Sequence, residues 1–341
     1  MINTLYRLVS PKHIEIYYEE LDLSDETVLV RPTYLSICKA DQRYYQGTRE
    51  PEILEKKLPM ALIHEGIGEV VYDGTGSFTP GEVVAMIPNT PTEVVDTIGE
   101  NYLPTSKFRS SGFDGYLQDY VAFNPNRLVK IEADLNPLVA SFTELVSVSV
   151  HSILRMDQFA HQGKDVLGVW GDGTVGYITA LLLKIFYPHA RVLVFGKNQD
   201  KLSYFTFADE AYLVSEVPPD VVVDQAFECV GGQKSQLAIE QIIRRIQPEG
   251  TISLLGVSEY PVPINTRMIL EKGLRIYGSS RSSREDFEKS IEILETYPEV
   301  TDYLENLVVA VIRVRTIKDI HHAFERDYQL NFGKTVLIWD K

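Results

Sequence analysis

The sequence predicts an α/β protein of two domains. A β-rich domain spans residues 1–144 and is completed by residues 279–341, and a doubly wound parallel sheet occupies residues 145–278. Three observations carry that prediction. Short β-prone runs broken by glycine and proline, with no helix of any length, fill the chain up to about residue 125. From Leu138 onward, long apolar helices alternate with strands, the pattern of a parallel sheet. Between them, the turn Gly171-Asp172-Gly173-Thr174-Val175-Gly176 joins an apolar run to an apolar helix.

Composition narrows the function classes. At 341 residues two domains are expected, and the net charge of −15 argues against nucleic acid and anionic membranes as partners. Any phosphorylated ligand must therefore be met by local cations and backbone N–H groups. No stretch approaches the roughly 20 apolar residues of a membrane span, and the N-terminus lacks the apolar core of a signal peptide. A cytoplasmic location is expected. Two cysteines, Cys38 and Cys229, exclude a disulfide framework and any four-cysteine structural zinc site.

In the β-rich domain, strands are expected at residues 4–9, 13–18 and 27–30. A further strand over 31–38 runs into Cys38-Lys39-Ala40-Asp41, and a helical turn over 41–47 is closed by Gly47. Residues 58–71, with Ile63-His64-Glu65-Gly66, and the strand 83–88 follow. The polar segment from Asn89 to Gly112 is long enough to be functional or mobile.

The second domain begins its chemistry at Val166. The run Val166 to Trp170 suits a strand buried on both faces, and the turn after it has the G-x-G-x-x-G spacing between strand and helix. In that context Gly171 permits the tight turn, Gly173 lets backbone approach a pyrophosphate, and Gly176 lets the helix pack on the strand. The N–H groups of Thr174 and Val175 open the helix toward the phosphates. Glycine-rich turns also serve as plain loops. Here the helix stops at Pro188 and a second strand, Arg191 to Phe195, follows at βαβ spacing, which favours dinucleotide binding.

An NAD site places an acid about 20 residues past the glycines to hold the ribose 2′-hydroxyl. This chain has Gly196 there, followed by Lys197 and Asn198, with Lys201 one turn on. A small residue flanked by lysines favours the 2′-phosphate of NADPH, against the plainer reading of two solvated lysines. Beyond it, strands are expected at 211–214, 221–227, 251–255 and 274–278, with a helix over 233–246. The tail supplies helices over 283–297 and 317–325 and a last strand over 335–338.

Cys38, His64, Glu65 and Glu144 are the candidate metal ligands. Zinc takes thiolate, imidazole and carboxylate, and a catalytic zinc keeps one position open. Each residue also has a structural reading as a packed or hydrogen-bonded side chain. Glu65, set in an apolar run, needs a partner.

Residues 36–41, 63–70, the glycine turn, Glu144 to His151 and Gly333 to Leu337 together resemble, in order, the zinc-dependent medium-chain dehydrogenase/reductase family. The resemblance covers essentially the whole chain. It implies a GroES-like catalytic domain joined to a Rossmann domain, with Cys38 and His64 on a catalytic zinc and either Glu65 or Glu144 as the third ligand. It further implies Lys39 and Lys334 facing the cofactor pyrophosphate.

Within the family, residues 36–47, 88–93, 108–112, 226–232 and 278–282 look most like the ribulose-5-phosphate reductases of teichoic acid and capsule synthesis. The implied reaction is hydride transfer from NADPH to D-ribulose 5-phosphate, giving D-ribitol 5-phosphate. Arg109 and Arg281, each among serines in a glycine-bounded loop, are the preferred contacts to the substrate phosphate. A homodimer through the stretch from Tyr260 to Tyr277, and association with the ribitol-5-phosphate cytidylyltransferase, follow from the same likeness.

Two departures from the wider family matter. The segment 89–112 has no cysteine, so one catalytic zinc per chain and no structural zinc are expected. Ala40 stands where relatives often carry a hydroxyl that relays the proton, which leaves Glu144 or Tyr44 for that task. The rival readings are a zinc-dependent dehydrogenase of unphosphorylated polyols and a nucleotide-binding protein without catalysis.

Overall fold

The computed structural model describes residues 1–132 and 134–341. The chain forms two compact units, Met1–Ser147 with Ser282–Lys341, and Val148–Arg281.

The first unit is built on a seven-stranded sheet. Its path runs Leu128–Lys130, Val83–Met86, Glu65–Asp73, Val28–Ser36, Lys334–Trp339 and Val308–Val314, with Val121–Phe123 also pairing with Val28–Ser36. Val28, Val30, Leu35, Val70, Met86 and Leu337 alternate inward and are fully buried. The helix Ile317–Tyr328 adds Ile320, Ala323 and Phe324 to that core. The C-terminal strand pairs antiparallel with Val28–Ser36, setting Val336 opposite Ser36 and Leu337 opposite Leu35. This pairing brings Lys334 beside the segment that carries Cys38.

Sequence and structure differ in detail here. Residues 28–36 form one strand rather than two, and the register shifts around Pro32, which has no N–H to donate. The helix Pro298–Glu305 and the strand Val308–Val314 were not expected. Within the segment 89–112, Asn89–Thr90 pairs with Lys107–Phe108 as a short ribbon.

The second unit holds a six-stranded, all-parallel sheet. Its order is Glu210–Leu213, Arg191–Gly196, Val166–Trp170, Val223–Glu228, Ile246–Leu254 and Arg275–Gly278. The chain winds outward from Val166–Trp170 in one direction and then in the other. The order therefore reverses between Trp170 and Glu228, and such a switch point is where open α/β sheets bind ligands. Trp170 stacks on Phe195 at 3.9 Å between ring centroids, closing the core beneath this edge.

Candidate active site

Cys38 follows directly on the strand Val28–Ser36 and caps the helix Lys39–Tyr45, its Sγ accepting from the Ala40 N–H at 3.5 Å. His64 and Glu65 lie at the start of the neighbouring strand Glu65–Asp73. One ligand atom each from Cys38, His64 and Glu65 lies within 4.8 Å of the others, and His64 and Glu65 are buried. Ile63, immediately before them, has φ of 70°, a left-handed conformation that a β-branched residue rarely adopts. Its backbone is held by the carboxylate of Asp41, 3.0 Å from the Ile63 N–H, and by the Tyr116 N–H, which donates to Ile63 O at 2.7 Å. Local strain of this kind persists only where the surroundings over-determine it.

Asp41 is the residue that sequence reasoning missed. It is fully buried, and besides Ile63 it accepts from Ser110 Oγ at 2.5 Å and from the Cys38 N–H at 3.2 Å. Its Oδ1 also faces His64 Nδ1 at 3.5 Å. A carboxylate behind a histidine fixes which ring nitrogen points into the site. The available signal was an aspartate one helical turn from a candidate cysteine ligand. Phe108 closes the other side of the imidazole, with ring centroids 5.3 Å apart.

The charges are paired unevenly. Burial opposes a charged imidazole, but Asp41 and Cys38 hold His64 well above its ordinary pKa. Burial likewise opposes ionisation of Asp41, yet His64, Ser110 and the Ile63 N–H keep it below the usual carboxylate range. Glu65 Oε2 forms an ion pair with Lys334 Nζ at 2.6 Å, while Oε1 is buried without a hydrogen-bond partner among the described residues. Glu144 opens the helix Thr143–Phe159, and burial pushes its carboxyl up to about 7. His64 and Lys334 pull it down, whereas Glu65 and Asp41 push it further up. Sulfur, imidazole and a carboxylate oxygen lacking a partner form the donor set of a zinc site. The group accommodates such an ion.

In the second unit, the turn after Trp170 leads into the helix Thr174–Phe186. Gly173 is its N-cap and no side chain caps it, so the helix's first N–H groups face outward. A Cβ on Gly176 would come within 2.0 Å of Gly171 O, whereas one on Gly173 would meet nothing within 4 Å. One glycine is thus required by packing, and the other keeps open the approach to an anion-binding helix end.

Comparison with known proteins establishes the family. The family model for the alcohol dehydrogenase GroES-like domain matches residues 24–133, and that for the zinc-binding dehydrogenase matches residues 174–296. A ribulose-5-phosphate reductase of Bacillus spizizenii is 54% identical over 340 residues, covering 100% of both chains. The chain belongs to the zinc-dependent medium-chain dehydrogenase/reductase family. Ribulose-5-phosphate reductase 1 of Staphylococcus aureus is 50% identical, with 99% of each chain covered. The crystal structure of S. aureus TarJ in complex with NADPH superposes with a TM-score of 0.90 at 45% identity, covering 100% of both chains.

Other expected site residues of this dehydrogenase fall elsewhere. Lys334 is 4% exposed and bound to Glu65, so it neutralises a carboxylate of the metal group instead of reaching a pyrophosphate. The ammonium of Lys39 stands 3.2 Å from Asp327 Oδ2 and is largely exposed. Tyr44 is packed in the β-rich core, 1% exposed, with the Arg49 guanidinium 4.7 Å from its ring. A ring packed in this way does not suit a proton relay.

Arg109 also departs from expectation. Phe108 and Ser110 reach His64 and Asp41, whereas Arg109, in the turn between them, is held by other partners. Its guanidinium donates to Asp114 O at 3.2 Å and Ala122 O at 2.8 Å and lies 4.7 Å over Phe123. With Lys107, Glu19 and Asp114 it lines a separate cavity of about 340 Å³. Both terminal nitrogens are thus engaged with backbone carbonyls, and Nε is buried. Arg281, half-buried, takes φ of 58° at the end of the second unit.

Proposed function

We propose that this dehydrogenase reduces D-ribulose 5-phosphate to D-ribitol 5-phosphate with NADPH, supplying a precursor for teichoic acid or capsule synthesis. The observation that carries this reading is the clustering of Cys38, His64 and Glu65 in a chain 54% identical, end to end, to a ribulose-5-phosphate reductase. Cys38, His64 and Glu65 or Glu144 would hold one catalytic zinc. When bound, that ion supplies Lewis acidity toward a carbonyl oxygen, and NADPH supplies the hydride.

The chain's own residues do the rest. Asp41 orients His64, and Lys334 offsets the charge of Glu65. Where Glu65 is the third ligand, Glu144, whose carboxyl burial pushes up, is the group proposed to pass the proton that the product hydroxyl requires, a task closed to Ala40. The uncapped N–H groups after Gly173, with Thr174, Val175 and Gly176, receive the pyrophosphate, and Lys197 and Lys201 receive the 2′-phosphate. Arg281 is the remaining cation proposed for the substrate phosphate.

Among the described residues no helix is long and apolar enough to cross a membrane, and the working location proposed is the cytoplasm. A homodimer is proposed through Arg275–Gly278. It is the edge strand of its sheet, and Val257, Tyr260 and Leu270, before it in the chain, are exposed. Association with the cytidylyltransferase that consumes the product is proposed on the same likeness.

The test is NADPH oxidation with D-ribulose 5-phosphate, D-ribulose and sorbitol, repeated after dialysis against a chelator and again after adding zinc. Turnover confined to the phosphorylated ketose, lost on chelation and regained with zinc, is expected. Equal rates with unphosphorylated substrates would favour a general polyol dehydrogenase. Full activity after metal removal would refute the zinc assignment.

A further inference from the structure

The second residue of the glycine turn, Asp172, carries no role in the reading above. Its side chain leaves the turn and crosses to the end of the neighbouring strand Arg191–Gly196. There one oxygen, Oδ2, accepts from both the Lys197 N–H at 2.6 Å and the Asn198 N–H at 2.8 Å. Asn198 in turn accepts from the Lys201 N–H through its side chain at 3.1 Å. The backbone beneath both lysines is therefore anchored to one carboxylate, directly at Lys197 and through Asn198 at Lys201.

Gly196 belongs to the same device. A Cβ on it would stand 2.8 Å from Asp172 Cβ and 2.6 Å from Leu202 Cδ2. Its small size makes room for the crossing aspartate. Meanwhile neither lysine ammonium has an ion-pair or hydrogen-bond partner among the described residues, and Lys197 is exposed. Two cations thus wait on a backbone whose own donors are already spent.

We propose that Asp172 is a positioning residue for cofactor selectivity. It fixes the turn so that Lys197 and Lys201 are presented together to the 2′-phosphate of NADPH, and it removes the two backbone N–H groups from competition for other anions. Charge-assisted bonds to N–H groups are among the stronger ones in proteins, and two on one oxygen hold a short turn firmly. The negative charge, offset by two N–H dipoles, does not cancel the lysines. The inference rests on the NADPH reading of this turn.

Calorimetric titration with 2′,5′-ADP and with 5′-AMP tests it without turnover. For Asp172→Ala the dissociation constant for 2′,5′-ADP should rise about tenfold, equivalent to about 1.4 kcal/mol, with 5′-AMP changed less than about twofold. Asp172→Asn keeps an acceptor for the two N–H groups and should restore most of the affinity. In assays, KM for NADPH should rise in Asp172→Ala while kcat at saturating NADPH and KM for the ketose stay put. Equal weakening toward both nucleotides would reduce Asp172 to a structural role. Tighter 2′,5′-ADP binding in both variants would mean that its charge opposes the phosphate, and would overturn the proposal. A wild-type protein with no preference for 2′,5′-ADP would instead refute the NADPH reading itself.

Discussion

Arg109 illustrates how a local sequence context misleads about a single side chain. Serines and a glycine around an arginine suggest a phosphate loop, but the turn after the short strand Lys107–Phe108 carries Ser110 to Asp41 and leaves Arg109 bonded to the carbonyls of Asp114 and Ala122. A strand two residues long leaves no periodic trace in the sequence. Its guanidinium instead ties residues 114 and 122 together and covers Phe123. Arg109→Ala should lower stability by about 2–4 kcal/mol, since hydrogen bonds to charged groups contribute about 1.5–3 kcal/mol each and stranded acceptors cost more. Denaturant unfolding measures this, and KM for the phosphorylated ketose should stay within about twofold, the scatter expected when no binding contact is lost. A large rise in KM with unchanged stability would restore Arg109 to the substrate. Asp41 was illegible for the complementary reason. Three of its partners, Ile63, His64 and Ser110, are distant in sequence, and only the folded sheet brings them to one carboxylate.

At the scale of elements, the sequence was most readable where one physical requirement dominates a segment. The strand Val166–Trp170 is buried on almost every residue, and an unbroken apolar run has few alternatives there. Boundaries blurred where a breaker sits inside a strand. Ile246–Leu254 contains Pro248 and Gly250, and the structure absorbs them in a register shift between Val223 and Gln225, with Glu249 at φ of 62°. Likewise the helix Thr266–Lys272 interrupts what read as one apolar edge. The glycine turn permits a sharper test, because its glycines are required for different reasons. Gly176→Ala drives a Cβ to 2.0 Å from Gly171 O and should destabilise the protein as well as abolish nucleotide binding. Gly173→Ala meets nothing within 4 Å and has φ of −93°, so folding stability should stay within about 0.5 kcal/mol of wild type. Its methyl would nevertheless lie on the path proposed for the pyrophosphate, and NADPH affinity should fall about tenfold or more, about 1.4 kcal/mol. Thermal melts beside fluorescence titrations separate the two. Unchanged affinity in Gly173→Ala would show that the cofactor does not approach this turn.

For the whole molecule, architecture was more legible than chemistry. The parallel sheet follows from alternating helices and strands, and the C-terminal strand completes the β-rich sheet because Val336 and Leu337 find buried places opposite Ser36 and Leu35. That same pairing delivers Lys334 to Glu65, a contact 269 residues apart in the chain that no local pattern announces. Net charge adds a property belonging to no single element. The chain has 48 acidic against 33 basic residues, while NADPH and a sugar phosphate are both anions. At about 0.01 M salt the screening length is about 30 Å and the whole molecule repels them; at about 0.15 M it is about 8 Å, and only nearby groups count. Local cations such as Lys197, Lys201 and Arg281 would then act with the distant acids screened. Raising salt across that range should therefore increase kcat/KM for NADPH about two- to threefold, the reverse of the usual steering of charged ligands to oppositely charged proteins. Initial rates at limiting NADPH, with a salt that does not bind phosphate sites, measure the effect. A steady fall in kcat/KM from the lowest salt upward would mean that the lysines at the strand end outweigh the acidic surface even at long range.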